Sequence, residues 1–331
     1  MKGTVNPVKT ENPNGDYIVA IPHAGQHIPS NLDNVLMKDR VTSRGTDEFS
    51  GELYSPLTKA GGTVISSDYH RYVCDLNRHR NDTSDQGAIR KVGMQGRQVL
   101  KRDYTPDERE GIFKECYDTF HKELESIVES YHSKQGHVFL LAAHTMSDVG
   151  AQTAHDKGKE RPDICYSTNN DMIADHEVIK AFEEVMKEAE KKGYKVSKNK
   201  PFTGKGPISK KYGRPKEGYN VIQLEVKESL AEDEATREEL IGIIQDACER
   251  AVAKMKEIYG KEEAGQPKKT GEGRGERAQK GRGGHEEEEQ EAKGKGSDTY
   301  LGPKAEAEHE EELEGEDAPE EGSEEALDEA A

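Results

Sequence analysis

The sequence predicts an α/β fold: a three-layer arrangement in which a mostly parallel, mixed sheet is flanked by helices, followed by a disordered acidic tail. Three observations predict it. Short apolar runs at residues 17–21, 63–66, 138–143 and 221–226 read as buried strands. Longer stretches between them carry apolar residues every three or four positions, the period of a helix with one buried face. Beyond residue 260 both patterns stop, and Glu, Lys, Gly and Ala dominate.

Residues 17–21 form the first expected strand, ending at Pro22 and opening into a loop that contains Gly25. A helix is expected over 47–60, where Phe49, Leu53, Leu57 and Ala60 share a face, and Gly61-Gly62 stops it before the strand at 63–66. Strand, helix and strand with short connections begin a parallel βαβ sheet. Residues 79–104 are polar and hold Gly87, Gly93 and Gly96, so they read as a long loop, a kind of segment often tied to function. The best-marked helix follows. Thr105 caps it, Pro106 occupies its first turn and Glu108 completes a capping box. Its apolar stripe runs from Ile112 through Phe120 and Val128 to Tyr131 and reads as core packing. Further on, helices are expected over 173–192, closed by Gly193, and over 235–259, closed by Gly260.

Charge separates the body from the tail. Residues 261–331 hold 24 acidic and 10 basic side chains, a net of −14 out of −18 for the chain. The body is therefore nearly neutral, and its charge does not mark it for nucleic acid. Too little apolar surface lies in the tail to offset chain entropy, so a single domain over 1–260 with a disordered tail over 261–331 is expected. Gly271, Gly273 and Gly275 follow no strand and make no dinucleotide fingerprint, and acids flank Arg274, Arg277 and Arg282, against an RNA-binding tail. No apolar run reaches the roughly 20 residues that span a bilayer, and the N-terminus lacks the apolar core of a signal peptide. Cys74, Cys116, Cys165 and Cys248 are widely spaced without C-x-x-C pairing, as in a cytoplasmic protein with reduced thiols.

The chemistry gathers at strand ends. Pro22-His23-Ala24-Gly25 follows the first strand, His144 follows 138–143, and Glu225 sits within 221–226. Two neutral imidazoles and a carboxylate can hold a zinc ion with water in the fourth position, and Asp47 is the candidate third ligand. A second carboxylate such as Glu225 can accept the proton of an attacking water. Asp47 could equally cap the first helix, and Glu225 could be a paired structural acid. The stretch Tyr69-His70-Arg71-Tyr72-Val73-Cys74-Asp75-Leu76-Asn77-Arg78 adds two guanidiniums and an amide, a set able to grip a small carboxylate. A structural Asp–Arg pair is the plainer reading of the same residues. His27 would share a face with His23 only on a helix, which Pro22 and Pro29 oppose.

In this order the motifs resemble the N-formylglutamate amidohydrolase family. The matching pieces are Pro22 to Pro29, Asp47 through Tyr54, Arg71 to Arg78, His144-Thr145-Met146, Arg161-Pro162-Asp163-Ile164, Tyr212-Gly213-Arg214-Pro215 and Ile222-Gln223-Leu224-Glu225, spanning residues 17 to about 230. The resemblance implies a zinc exopeptidase-like α/β fold and hydrolysis of the N-formyl or N-acyl amide of a small acidic amino acid. It implies one Zn2+ per chain, or another divalent metal, on His23, Asp47 and His144. Glu225 would be the base, and Arg71 would polarise the scissile carbonyl or hold a second carboxylate. Asn77, Arg78 and Arg214 would bind substrate. The chain departs from the family at Ala24, where Ser is common. It has Gln26 where zinc carboxypeptidases place a ligand Glu. The alternatives are a zinc hydrolase of the same fold acting on a peptide or another N-acyl amino acid, and a non-catalytic carboxylate-binding protein whose tail recruits a protein partner.

Overall fold

In a computed structural model of the chain, residues 5–41 and 45–265 are described, with side chains to residue 260. Seven strands make one mixed sheet in the order β1-β3-β2-β4-β7-β5-β6. They are β1 (Lys9–Glu11), β2 (Tyr17–Ile21), β3 (Gly62–Ser66), β4 (Val138–Met146), β5 (Ile164–Ser167), β6 (Val196–Lys198) and β7 (Tyr219–Lys227). The central strands β3, β2, β4 and β7 run parallel, while β1 and β5 pair antiparallel to β3 and β7. Every residue of β2, β4 and β7 is buried, which is why β2 and the first six residues of β4 read as unbroken apolar runs, whereas β7 also buries Asn220, Gln223, Glu225 and Lys227.

Side chains alternate between two cores. On one face Ile18, Ala20, Leu140, Ala142 and Val221 pack under α3 (Thr119–Gln135) through Phe120, Leu124 and Val128. On the other face Val19, Ile21, Leu141, Ala143, Ile222 and Leu224 meet α1 (Ser50–Tyr54), α4 (His176–Lys191) and α7 (Glu234–Gly265). The expected three layers are present. Among the described residues no helix is long and apolar enough to cross a membrane. All four cysteines are free and buried.

Several elements differ from expectation in detail. The helix expected over 47–60 begins only at Ser50 and tightens to a 3-10 helix over Ser55–Ala60, where Pro56 denies the α-helical hydrogen bond. Thr105 and Glu108 do form a reciprocal capping box at the start of α2 (Pro106–Ile112). The helix then widens into a π turn over Phe113–Asp118 before α3 resumes, and the apolar stripe gave no sign of this. Gly260 does not end α7, which continues to Gly265. The tail expected to be disordered lies outside the described residues beyond that point.

The stretch at 79–104 turns inward at its middle. Ala88, Ile89 and Arg90 are buried, and the Ala88 carbonyl accepts from the Asp75 backbone N–H. That placement makes it an underpinning of the residues around Asp75.

Candidate active site

Parallel strands put the ends of β2, β4 and β7 on one edge, the usual place for a site in such sheets. His23 lies two residues beyond β2, and His144 and Glu225 are direct register partners on β4 and β7. Gly25 lets the loop after His23 settle on the next segment: a Cβ there would stand 2.3 Å from the Asp68 carbonyl carbon. The adjoining bonds run from the His27 N–H to the Asp68 carbonyl and from the His70 N–H to the His27 carbonyl. His27 is used in that bridge, away from the histidine cluster.

Asp47 joins the two histidines. Its Oδ2 lies 3.3 Å from Nδ1 of His23 and 2.7 Å from Nδ1 of His144. The carboxylate is thus committed to the cluster, and the N-cap of α1 is Phe49 with no side-chain hydrogen bond. The donor atoms of His23, Asp47 and His144 all lie within 4.8 Å of one another, and all three residues are buried. Two imidazole nitrogens and a carboxylate oxygen converging in this way fit the donor set of a divalent metal such as zinc. Burial works against ionisation of Asp47, yet the two imidazoles hold its carboxyl well below the usual carboxylate range.

Asp75 organises the other half. It is fully buried and accepts from Nε2 of His23 at 2.8 Å, Nη2 of Arg71 at 2.9 Å, Nε of Arg90 at 3.0 Å and the Asn77 backbone at 3.1 Å. Burial opposes its charge, but Arg71, His23 and Arg90 keep its carboxyl far below the usual range. Arg71 bridges the two acids, its Nη1 donating to Asp47 at 3.2 Å. Each terminal nitrogen thus gives one N–H to an acid, while Nε has no partner among the described residues.

Asn77 and Arg78 follow Asp75 and are only partly buried. The Asn77 Nδ2 lies 3.2 Å from Nε2 of His144, and its Oδ1 is 3.5 Å from the Ile208 N–H in α5 (Pro207–Tyr212). Gly206 makes room for that amide, since a Cβ would stand 2.8 Å from Oδ1. The Arg78 side chain is 44% exposed with Nε 4.0 Å from Asp75, so its guanidinium is open to a ligand. Arg214 is not brought here. It donates to Glu217 and to the Lys211 carbonyl and lies over the Tyr219 ring, at the opposite end of β7 from Glu225.

Glu225 is buried, with Gln223 Nε2 donating to it at 2.9 Å. Burial, opposed by His144 and reinforced by Asp47, pushes its carboxyl up to about 7. Nearby Glu228 is raised to about 8 by burial, then by the charges of Asp47 and Glu48. The site is polar in the literal sense: acidic around Asp47, where a cation would be drawn, and basic around Asp75, where three guanidiniums face one carboxylate.

Sequence reasoning offered Asp75 as half of a structural Asp–Arg pair, which its bond to Arg71 bears out, but it missed Arg90. The buried pair Ala88-Ile89 directly before Arg90, set in a polar stretch, was the available signal.

The family model for N-formylglutamate amidohydrolase matches residues 15–231. An N-formylglutamate deformylase of Pseudomonas aeruginosa is 25% identical over 224 residues, 66% of this chain and 82% of that protein. A second of the same name, from Pseudomonas putida, matches to the same extent. The fold is shared with the crystal structure of an N-formylglutamate amidohydrolase from Ralstonia eutropha, with a TM-score of 0.63 at 21% identity, covering 78% of this chain and 100% of that one. A gene product of Agrobacterium tumefaciens has the same TM-score at 19% identity, covering 77% of this chain and 97% of that one. With the family match covering most of the described chain, and with His23, Asp47, Asp75, His144 and Glu225 meeting at one edge of the sheet, the chain belongs to the N-formylglutamate amidohydrolase family, hydrolases of an amide bond.

Proposed function

We propose that this protein removes the formyl group from an N-formyl amino acid with an acidic side chain, N-formyl-L-glutamate above all, giving formate and the free amino acid. The observation that carries the reading is the convergence of His23, Asp47 and His144 on one point, with Glu225 on the neighbouring strand and the open Arg78 guanidinium across the site. His23, Asp47 and His144 would hold one divalent metal, with zinc the first choice for this donor set. When bound, that ion would supply Lewis-acid polarisation of the formyl oxygen and a water of lowered pKa.

The chain's own groups would do the rest. Asn77 and Arg78 grip the α-carboxylate, fixing the amide beside Glu225. Glu225, with a carboxyl near 7, takes the proton of the attacking water and delivers it to the amide nitrogen as the C–N bond breaks. The new C–O bond leaves formate, and the amine departs with the proton. Arg71 we assign to positioning, because it is buried and bridges Asp47 and Asp75. Asp75, in turn, holds His23 by the ring nitrogen turned away from Asp47, the usual second partner of a ligating histidine. We place this activity in residues 1–260 of a cytoplasmic enzyme, the free thiols matching a reducing compartment.

The test is product release from three substrates: N-formyl-L-glutamate, N-acetyl-L-glutamate and a glutamyl dipeptide. The formyl compound should be hydrolysed fastest. A preference for the dipeptide would keep the site and change the substrate class.

A further inference from the structure

The backbone that carries Asn77 and Arg78 is held from below by two rings of one helix. The Tyr117 hydroxyl donates to the Arg78 carbonyl at 2.8 Å, and Nε2 of His121 lies 2.9 Å from the Leu76 carbonyl. The two carbonyls flank Asn77, so the peptide planes on either side of the pair are each tied to the helix. Within the turn, the Asn77 N–H bonds to the Asp75 carboxylate and the Arg78 N–H to the Asp75 carbonyl.

The two rings also meet each other, with centroids 4.2 Å apart. Four residues apart, they would stack one above the other on a regular helix. Tyr117, however, belongs to the π turn over Phe113–Asp118 and His121 to α3. A π turn adds a residue to the local circuit and shifts which side chains share a face, and such turns gather at functional sites. Burial pushes the Tyr117 phenol up to about 12, so it stays a donor. Burial also lowers the His121 imidazole to about 4, leaving a neutral ring whose Nε2–H serves the carbonyl.

We propose that Tyr117 and His121 are positioning residues for substrate carboxylate binding, holding the Leu76 and Arg78 carbonyls so that the Asn77 amide and the Arg78 guanidinium are presented in a fixed orientation. The proposal rests on the reading that Asn77 and Arg78 bind the substrate α-carboxylate. Both rings bond to the backbone of the Leu76–Arg78 segment and not to the histidine cluster, so the effect should appear in carboxylate binding and not in the chemical step.

The experiment compares wild type, Tyr117→Phe, His121→Leu and His121→Gln, with formate release from N-formyl-L-glutamate and from its α-carboxamide, alongside calorimetric binding of L-glutamate. Tyr117→Phe and His121→Leu should each raise KM for the acid about three- to tenfold, the cost of one hydrogen bond, with kcat within about twofold. KM for the carboxamide should barely move, so the preference for the acid shrinks. His121→Gln, which keeps a donor, should recover most of the loss. On an Arg78→Ala background Tyr117→Phe should add nothing. An unchanged acid-to-carboxamide preference, with only thermal stability altered, would overturn the proposal while leaving the activity intact. A wild-type protein that neither turns over the formyl substrate nor binds glutamate would instead overturn the reading on which the proposal depends, and the proposal with it.

Discussion

Nε2 of His23 lies 2.8 Å from the Asp75 carboxylate, and this one contact joins the two halves of the site. Through it, the residue that anchors Arg71 and Arg90 also sets the orientation of His23 toward Asp47. Asp75 is wholly buried, so its charge is balanced by these partners, with Arg78 and the Asn77 N–H adding to them.

Asp75→Asn therefore strands the buried Arg90 guanidinium and leaves Arg71 with Asp47 alone. Loss of one partner of a buried ion pair costs about 3–5 kcal/mol, which urea unfolding would read directly. Metal affinity should also fall about 10–100-fold, the usual effect of removing a ligand's outer partner, measured by competition with a chelating dye.

Arg78→Ala should behave differently, because this side chain is 44% exposed and its nearest carboxylate is 4.0 Å away. KM for N-formyl-L-glutamate should rise about 10–100-fold, the range for a lost charge-assisted bond, while stability shifts by less than about 1 kcal/mol.

Gly206→Ala isolates the packing around Asn77. The backbone at Gly206 has φ −61°, which alanine adopts freely, and the closest conflict is with the Asn77 amide. kcat/KM should fall about tenfold through displacement of that amide, with an unfolding midpoint close to wild type.

Metal removal should silence the enzyme without unfolding it. Asp47 already bonds to both histidines, so the buried groups stay satisfied when the ion leaves. Dialysis against a chelator should abolish formate release, keep the far-ultraviolet circular dichroism, and be reversed by added Zn2+.

His121 makes stability depend on pH in a definite direction. Burial, with Lys211 adding to it and the Leu76 carbonyl, Asp118 and Glu125 opposing, lowers its pKa from 6.5 to about 4. The unfolded chain binds a proton that the folded chain refuses, so stability is full above pH 6.5 and falls as pH drops toward 4. The loss should be roughly 2 kcal/mol after discounting for the ring's partial exposure, and His121→Gln should flatten that part of the curve.

The legible parts of the fold were those whose signal is local. Strands β2 and β4 are buried on both faces, so each reads as an apolar run, and the polar residue that follows the run marks the site edge; β7 gives the weaker signal of a lone acid between apolar neighbours. His23, His144 and Glu225 stood out for that reason, and the structure brings them together with Asp47. Arg90 was hidden because its partner Asp75 lies fifteen positions away: Ala88-Ile89 signals burial beside it but not that pairing. Arg214 shows the converse. A motif of the family included it, but its guanidinium is held by Glu217 and the Lys211 carbonyl at the far end of β7. The π turn left no trace, since one added residue barely disturbs an apolar stripe.

The central claim is that Glu225 drives amide hydrolysis beside a metal held by His23, Asp47 and His144. The most direct test is metal content and formate release from N-formyl-L-glutamate, on wild type and on Glu225→Gln. The account predicts about one metal per chain in both proteins, with turnover at least about a hundredfold lower in the variant. A variant as active as the wild type would contradict the role of Glu225, and a wild type with neither metal nor turnover would contradict the account as a whole.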